Sequence, residues 1–418
     1  DHQAATSPDD LAALVQALAL SEAAFAECDM APGDAADSAN FFSHAPLLKA
    51  LDLQTEELGS LFGMQRRHEE RDERGNLLSF FHDDHGHVVL RAKEAQVLRP
   101  HGHLLRSGQH ATPDEMALTS TVWMNGVFHS MLTQGHVSFN RFLSTVHSYL
   151  GLFRSHGLRV FIEANGEWQL LDLPSAFEIR PGACRWLYKH AGGLIEVRSE
   201  TQAEHQMGLR IDVLSGAATR LFVSSHIALN GDDGSVLGAA HWRRDGSEVV
   251  IQPAENSDLA KRFPQGCFVV TPHADAQLDA VGGDELLFRD GRSRQQPFVC
   301  MIVAATKSFA LTVRGNLVTE SIDVPKADDE PLVELLGIQA PAGSSLAAQV
   351  GRLAEILPWF RHNAFVHYLS PRGLEQYSGG GWGTRDVTQG PVEMLLAMGH
   401  LAPLRDLLMR VMRAQAPD

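Results

Sequence analysis

Cysteine is scarce in this sequence, with Cys28, Cys184, Cys267 and Cys300 spread over 418 positions. The spacing contains no Cys-x-x-Cys pair, which excludes a zinc site built on close cysteines and a disulfide scaffold. No apolar run reaches the roughly 18 residues of a membrane-spanning helix. Basic residues are outnumbered, with 35 Lys and Arg against 51 Asp and Glu. The net charge of −16 argues against nucleic acid as a partner.

Three chemical signatures are absent as well. The sequence has no G-x-x-x-x-G-K-[ST] phosphate loop, no G-x-S-x-G nucleophile elbow and no H-E-x-x-H zinc motif. These absences argue against an ATP-driven enzyme, a serine hydrolase and a zincin. We therefore expect neither a metal nor an organic cofactor.

The first half of the chain changes its pattern near Asn76. Residues 9–28 and 45–63 predict helices, and the balanced charge run at 66–75 predicts a solvated linker or helix face. From Asn76 the sequence alternates, and LLSFFHDDHGHVVLRA predicts a β-hairpin. The strand-like runs that follow are 159–163, 168–173, 184–190, 193–199, 208–214, 219–229, 247–253, 267–272 and 298–306. Many strands without long intervening helices predict an antiparallel β-sandwich over 76–322, after an N-terminal segment at 1–75.

The second half becomes helical after a linker. Residues 323–345 are rich in Pro, Asp and Ala and predict a linker, and the helical period returns over 346–418. Pro358 is expected to stop or kink the first helix there. Two further helices are predicted at 391–399 and 401–415. The fold class is thus α+β and multidomain.

The segment between the helices, residues 370–391, is the most unusual part of the sequence, because it contains six glycines. Glycines permit a close approach of a ligand to the backbone, and an aromatic side chain packs on the apolar face of a sugar ring. Charged planar groups bind hydroxyls in pairs. The candidate sugar-binding residues are Glu375, Gln376, Tyr377, Trp382, Arg385, Asp386 and Gln389. The alternative is a tight interhelical loop with an internal Arg385–Asp386 pair.

Histidines form a second group of candidates. His82, His85 and His87, with Asp83 and Asp84, resemble a metal cluster, but the predicted hairpin turn explains them better. We interpret His101 and His103 as surface strand positions. His362 and His367 precede the glycine-rich segment, so roles facing the site stay open. The aromatic-rich segment 119–157 is interpreted as sandwich core with connecting loops, or as a loop that reaches over the sugar site.

The segment GLEQYSGGGWGTRDVTQGPVE, after a sandwich and a linker, resembles inverting oligosaccharide phosphorylases of glycoside hydrolase family 94. The run TQGHVSFNRFLST is similar to the same family, with the 1,2-β-oligoglucan phosphorylases as the nearest branch. The resemblance covers about 76–418. It implies that residues 346–418 are the first helices of an (α/α)6 barrel.

The resemblance also implies roles for single residues. Asp386 matches the family Asp that binds hydroxyls of the sugar at the cleaved bond, Gln389 matches the family Gln, and Trp382 lies against the same subsite. The sequence departs from cellobiose phosphorylases at Gly380, where they carry Arg, and at Gly390, where they carry Asp. Both departures bear on which substrate is used.

The implied reaction is attack of inorganic phosphate on a β-linked gluco-oligosaccharide, which gives glucose 1-phosphate. Phosphate is a co-substrate, the implied location is the cytoplasm, and a homodimer is left open. The family's general acid belongs to an Asp-Trp-Asn-Asp segment, which this sequence lacks. The chain begins with Asp1 rather than Met, so we expect a segment of a longer protein that is inactive alone, with the general acid beyond Asp418. The alternatives are a hydrolase or transglycosylase of the same clan and a non-catalytic carbohydrate-binding module.

Overall fold

The fold is known from a computed structural model that describes most of the chain. The described residues are 45–82, 85–98, 100–108, 116–134, 137–140, 157–202, 206–230, 240–317, 338–367 and 384–413. The helix predicted at 9–28 and most of the linker predicted at 323–345 lie outside these ranges. Within them, every helix is too short or too polar to span a membrane.

Antiparallel strands dominate the structure. The first ten are β1 Arg67–Arg71, β2 Leu77–His82, β3 Gly86–Leu90, β4 Gly102–Arg106, β5 Thr119–Trp123, β6 Val127–Gln134, β7 Val137–Asn140, β8 Leu158–Ala164, β9 Glu167–Leu170 and β10 Ala176–Arg180. The later ones are β11 Ala183–His190, β12 Gly193–Gln202, β13 Gln206–Gly216, β14 Thr219–Asn230, β15 Ala240–Asp245, β16 Glu248–Pro253, β17 Cys267–Pro272, β18 Leu278–Gly282, β19 Phe298–Thr306 and β20 Ser308–Asn316.

Six α-helices accompany these strands in the described ranges. They are α1 Thr55–Phe62, α2 Arg91–Glu94, α3 Asp258–Arg262, α4 Ala347–His367, α5 Thr384–Ala397 and α6 Leu401–Arg413. The predicted sandwich and hairpin are therefore confirmed, and so is the helical character of the last part of the chain.

The strands form two sheets, with neighbours paired antiparallel. One has the order β1-β2-β3-β10-β11-β12-β13-β20-β17-β16-β15, and the other has the order β18-β19-β14-β7-β6-β5-β4. Strand β8 pairs with β14, β6 and β9 beside the second path. All nine predicted runs overlap strands, although residues 171–173 of the run 168–173 lie beyond β9, because the apolar residues of each run bury at least one face.

The core lies between the two sheets and is anchored by Trp186 of β11. The Trp186 ring is fully buried, and it contacts Phe177 of its own sheet at 4.9 Å and Phe128 of the opposite sheet at 5.0 Å between ring centroids. Its indole N–H donates to the carbonyl of Trp123 at 3.0 Å. The buried His129 of β6 reaches the carbonyl of Gly208 in β13 at 3.1 Å. These contacts hold the sheets together by apolar packing and by satisfied polar groups.

Three details of the predicted fold are wrong. The helix predicted at 45–63 exists only as α1, because Leu48 donates to the carbonyl of Leu170 and Leu51 to that of Lys189, which keeps this segment extended. The charged run at 66–75 is solvated as predicted, but it contains the exposed edge strand β1. A charged edge strand of this kind resists pairing with another chain.

The third correction concerns the expectation that Pro358 stops or kinks the first helix: α4 continues through Pro358, so the stop is wrong, while the kink stays a prediction. Proline removes one intrahelical hydrogen bond. Two side chains in the following turn, Trp359 and His362, pack against the sandwich. Their packing compensates the lost bond, so tertiary contacts override the local preference.

Candidate functional site

Three of the predicted sugar-binding residues, Arg385, Asp386 and Gln389, lie in helix α5. Glu375, Gln376, Tyr377 and Trp382 fall outside the described residues. Arg385 and Asp386 are described by their backbone alone, and both lie in the first turn of α5. Helix α5 begins at Thr384, seven residues before Pro391, so the predicted boundary between loop and helix was wrong.

An acidic residue suits the place that Asp386 occupies. The first turn of a helix carries unpaired N–H groups and the positive end of the helix dipole, which favour a carboxylate. Sequence pattern missed this start because the segment is rich in glycine and contains Pro391 within the helix. Gln389 is exposed one turn later, and its amide lies 3.5 Å from Glu393.

Helix α5 forms a hairpin with helix α6. Helix α5 ends at a Schellman motif, in which Gly399 (φ 74°) donates to Leu396 and His400 donates to Leu395. Helices α5 and α6 pack against each other, and Leu395 of α5 and Leu407 of α6 are buried.

Helix α4, which precedes the glycine-rich segment, is attached to the sandwich by stacked histidines. The rings of His362 and His103 lie 4.5 Å apart and within 26° of parallel. His362 donates through Nε2–H to the carbonyl of Leu104 at 2.8 Å, and His103 donates to that of Arg180 at 3.0 Å. His103 is thus not a surface strand position, which corrects the sequence interpretation, and His362 contacts the sandwich.

Aromatic side chains extend this contact, which we call the α4 seam (Phe81, His87, His103, Trp359 and His362). The edge of Trp359 contacts the rings of Phe81 and His103, at centroid distances of 6.5 and 5.8 Å. Phe81 stacks in turn on His87 at 4.4 Å. The seam places helix α4 firmly on strands β2, β3 and β4.

Burial keeps the histidines of the seam neutral. Desolvation lowers the pKa of His103 to about 3 and the pKa of His362 to about 4. It also lowers the pKa of His87 to about 4. Neutral rings stack without charge repulsion, so at neutral pH the seam favours attachment of α4.

The rim of the seam carries an ion pair. Glu355 of α4 lies 2.7 Å from His68 and 3.8 Å from Arg67 of strand β1. The hydrogen bond from His68 lowers the pKa of Glu355. This exposed pair adds orientation more than stability, because solvent screens it.

The histidines of the predicted hairpin do not meet in one cluster. His82 is buried and lies 2.8 Å from Glu178, whereas His87 belongs to the seam. Burial raises the pKa of Glu178, but the hydrogen bond from His82 and the charges of Arg185 and Arg180 outweigh it and bring it to about 2. Across the described part of the chain, no group of three His, Cys, Asp or Glu side chains is arranged to hold a metal.

Other candidate segments are described in part. His101 precedes strand β4 and contacts Glu94. Residues 119–134 and 137–140 form β5, β6 and β7, so their interpretation as sandwich is confirmed, while 141–156 lie outside the described residues. The side chain of His367 also lies outside them.

Comparison with known protein families gives the class to which this chain belongs. Residues 64–315 match the family described as "Glycoside phosphorylase supersandwich domain", which covers strands β1 to β19 and most of β20. The match spans more than half of the chain, so the chain belongs to this family of glycoside phosphorylases.

A curated relative narrows the comparison. Over 364 residues the chain is 30% identical to a 1,2-beta-oligoglucan phosphorylase of Listeria innocua, and the alignment covers 84% of this chain and 32% of that protein. The chain thus spans about a third of the length of the curated relative it matches.

Comparison with solved structures gives weaker matches. A putative kojibiose phosphorylase from the human microbiome is 7% identical, with a TM-score of 0.26, over 68% of this chain and 32% of that one. A heparan sulfate lyase HepC mutant from Pedobacter heparinus is 10% identical, with a TM-score of 0.32, over 55% of this chain and 38% of that one. At these TM-scores neither likeness carries an argument about function.

Proposed function

We propose that this chain is part of an inverting phosphorylase that cleaves β-linked gluco-oligosaccharides with inorganic phosphate. The observation that supports the proposal most is the combined match to the phosphorylase sandwich family and to the 1,2-beta-oligoglucan phosphorylase. The product would be glucose 1-phosphate. Phosphate acts as co-substrate, no other cofactor is invoked, and a cytoplasmic location suits that need.

Helices α4, α5 and α6 are proposed as the first helices of an (α/α)6 barrel. The support is their order after the sandwich, together with exposed apolar side chains such as Ile356, Leu401 and Met412. Helix faces of this kind are ordinarily covered by neighbouring helices.

The start of α5 is proposed as the sugar-binding part of the site. Asp386 accepts hydrogen bonds from sugar hydroxyls, Arg385 keeps it ionised, and Gln389 adds an amide one turn on. Trp382 supplies an apolar face, with Glu375, Gln376 and Tyr377 as further polar contacts. No residue of this set is proposed as the general acid, because binding hydroxyls and donating a proton to the leaving oxygen are separate tasks.

Phosphate makes a single acid sufficient. It is already a nucleophile, so no base has to activate water, and the attack inverts the anomeric carbon. Hydroxyl contacts that tighten as the glycosidic bond breaks accelerate the reaction, whereas equal binding of ground and transition states does not.

The test is the variant Asp386→Asn in the full-length protein. Loss of one charged hydrogen bond at the transition state costs about 3 kcal/mol, so kcat/KM should fall roughly 100-fold. Asp258→Asn is the matched control, since that carboxylate is 99% exposed on the sandwich. Unchanged turnover of Asp386→Asn would remove the proposed sugar contact.

A further inference from the structure

A concave surface lies at one end of the sandwich, between the two sheets. It is a cleft of about 520 Å³, bounded by the β8–β9, β11–β12 and β13–β14 turns and by the segment around Lys49. That volume is within the roughly 300–1,000 Å³ of small-molecule sites. We refer to it as the end cleft.

The end cleft is far from the α4 seam. His103 of the seam contacts the carbonyl of Arg180, just before β11, whereas His190 at the other end of β11 lines the cleft. Seven residue steps at about 3.3 Å each separate the ends of β11 by roughly 23 Å. The two surfaces therefore belong to opposite ends of the sandwich.

The walls of the end cleft are held rigidly. Leu48 donates to the carbonyl of Leu170 in one sheet at 2.8 Å, and Leu51 donates to that of Lys189 in the other at 2.7 Å. The segment 45–54 thus bridges both sheets beside the cleft. A preformed cleft binds with less loss of conformational entropy than a flexible surface.

Its floor is aliphatic. Ile162 and Ile195 are each 1% exposed and Leu48 is 6% exposed, and all three line the cleft. Ile162 of β8 lies directly opposite Gln169 of β9 in the antiparallel pair, so an apolar side chain and an amide side chain are neighbours on the same face of the sheet. The C–H face of a pyranose fits such a floor, and its hydroxyls fit the adjoining amides.

The polar groups of the cleft are available to a ligand. Among the described residues, the side chains of Lys49, Asn165 and Gln169 make no hydrogen bond or ion pair. His190 accepts the N–H of Gly192 on Nδ1 at 3.2 Å, and burial lowers its pKa, so Nε2 carries the proton as a donor. The rim therefore offers donors and acceptors in a small space.

Charge selects among ligand classes. Lys49 and Glu163 cancel each other formally, and Arg220, which lies 3.6 Å from Glu163, is paired with Asp279 at 2.8 Å. A neutral ligand is favoured over a sugar phosphate or a polyanion, because the described residues around the cleft carry no excess of cations to offset anionic desolvation.

We propose that the end cleft is an accessory binding site for a neutral oligosaccharide of two or three pyranose units. That this oligosaccharide is a β-glucan rests on the proposed function. That it is a neutral saccharide rests on the shape and charge of the cleft itself. The site would retain a long substrate chain on the sandwich.

The experiment is calorimetric titration of the full-length protein in the Asp386→Asn background, which weakens the proposed site on α5. The probes are 1,2-β-linked glucotriose and cellotriose. Asn165→Gly with Gln169→Ala removes both amides, and glycine tolerates the φ of 55° at position 165. Ala218→Phe fills the cleft, and Glu167→Gln in the same hairpin is the control.

The result expected is a Kd at least tenfold weaker in the double variant and in Ala218→Phe, with Glu167→Gln unchanged. A Kd within twofold of the control in both variants would overturn the proposal. The proposal would also be overturned if neither trisaccharide bound to the Asp386→Asn protein. Phosphorolysis is measured separately on the wild-type protein. Its absence alongside intact cleft binding would contradict the proposed function and leave the end cleft standing.

Discussion

Acidification should release helix α4 from the sandwich, because the histidines of the α4 seam are held neutral. The ordinary histidine pKa is about 6.5, and burial lowers the pKa of His103 to about 3 and that of His362 to about 4. The detached state therefore binds more protons than the attached state. The stabilisation is complete above pH 6.5 and is lost as pH falls from 6.5 towards 4.

The magnitude follows from these pKa values. Between pH 7 and pH 4.5, each histidine has a ceiling of about 2.6 kcal/mol from proton linkage. Both rings are partly exposed and they titrate as a stacked pair, so we expect about half of the summed ceilings, roughly 2–3 kcal/mol.

Hydrogen exchange of peptides from residues 347–367 measures this opening directly. The comparison variant is His103→Phe with His362→Gln, which retains a ring and an amide donor but does not titrate. His241→Gln, an exposed histidine on β15, is the control. If the double variant loses as much protection on acidification as the wild type, the reasoning about the seam is refuted.

Two further substitutions test the sandwich by its unfolding free energy. Glu178→Gln should destabilise it by about 3 kcal/mol, because the carboxylate is buried against His82, Arg180 and Arg185; the surface pair variant Glu248→Gln should cost less than about 1 kcal/mol. Gly126→Ala should lower the free energy of unfolding by at least about 2 kcal/mol more than Gly166→Ala, because an added Cβ has no room at position 126. Equal losses in the two variants would contradict this steric argument. Both glycines have positive φ, but a Cβ at Gly126 meets a backbone oxygen at 2.0 Å and one at Gly166 meets nothing within 4 Å.

The sandwich could be predicted from sequence because most strands bury one face. Strand β8 buries both faces, since residues 158–162 are all buried, and its largely apolar run LRVFIEA is bounded by turns at Gly157 and Gly166. Strand β15 was missed because AHWRRD lies at a sheet edge and exposes most of its side chains, so hydrophobic pattern carries little signal there.

The site could be predicted only in part. The glycine-rich segment stands out in composition, but the start of α5 at Thr384 does not, since local glycine content favours a loop. The contact between His362 and Leu104 joins residues 258 positions apart, which no local pattern reveals. The end cleft likewise arises from turns that are distant in sequence.

The most direct test of the phosphorylase proposal follows both products of the full-length protein by ³¹P and ¹H NMR, with 1,2-β-oligoglucan as substrate. With phosphate present, the proposal predicts α-glucose 1-phosphate, because a single inverting displacement converts the β-linkage to an α-phosphate. Without phosphate, sugar release should stop. Free glucose produced at the same rate without phosphate would contradict the proposal and favour a hydrolase.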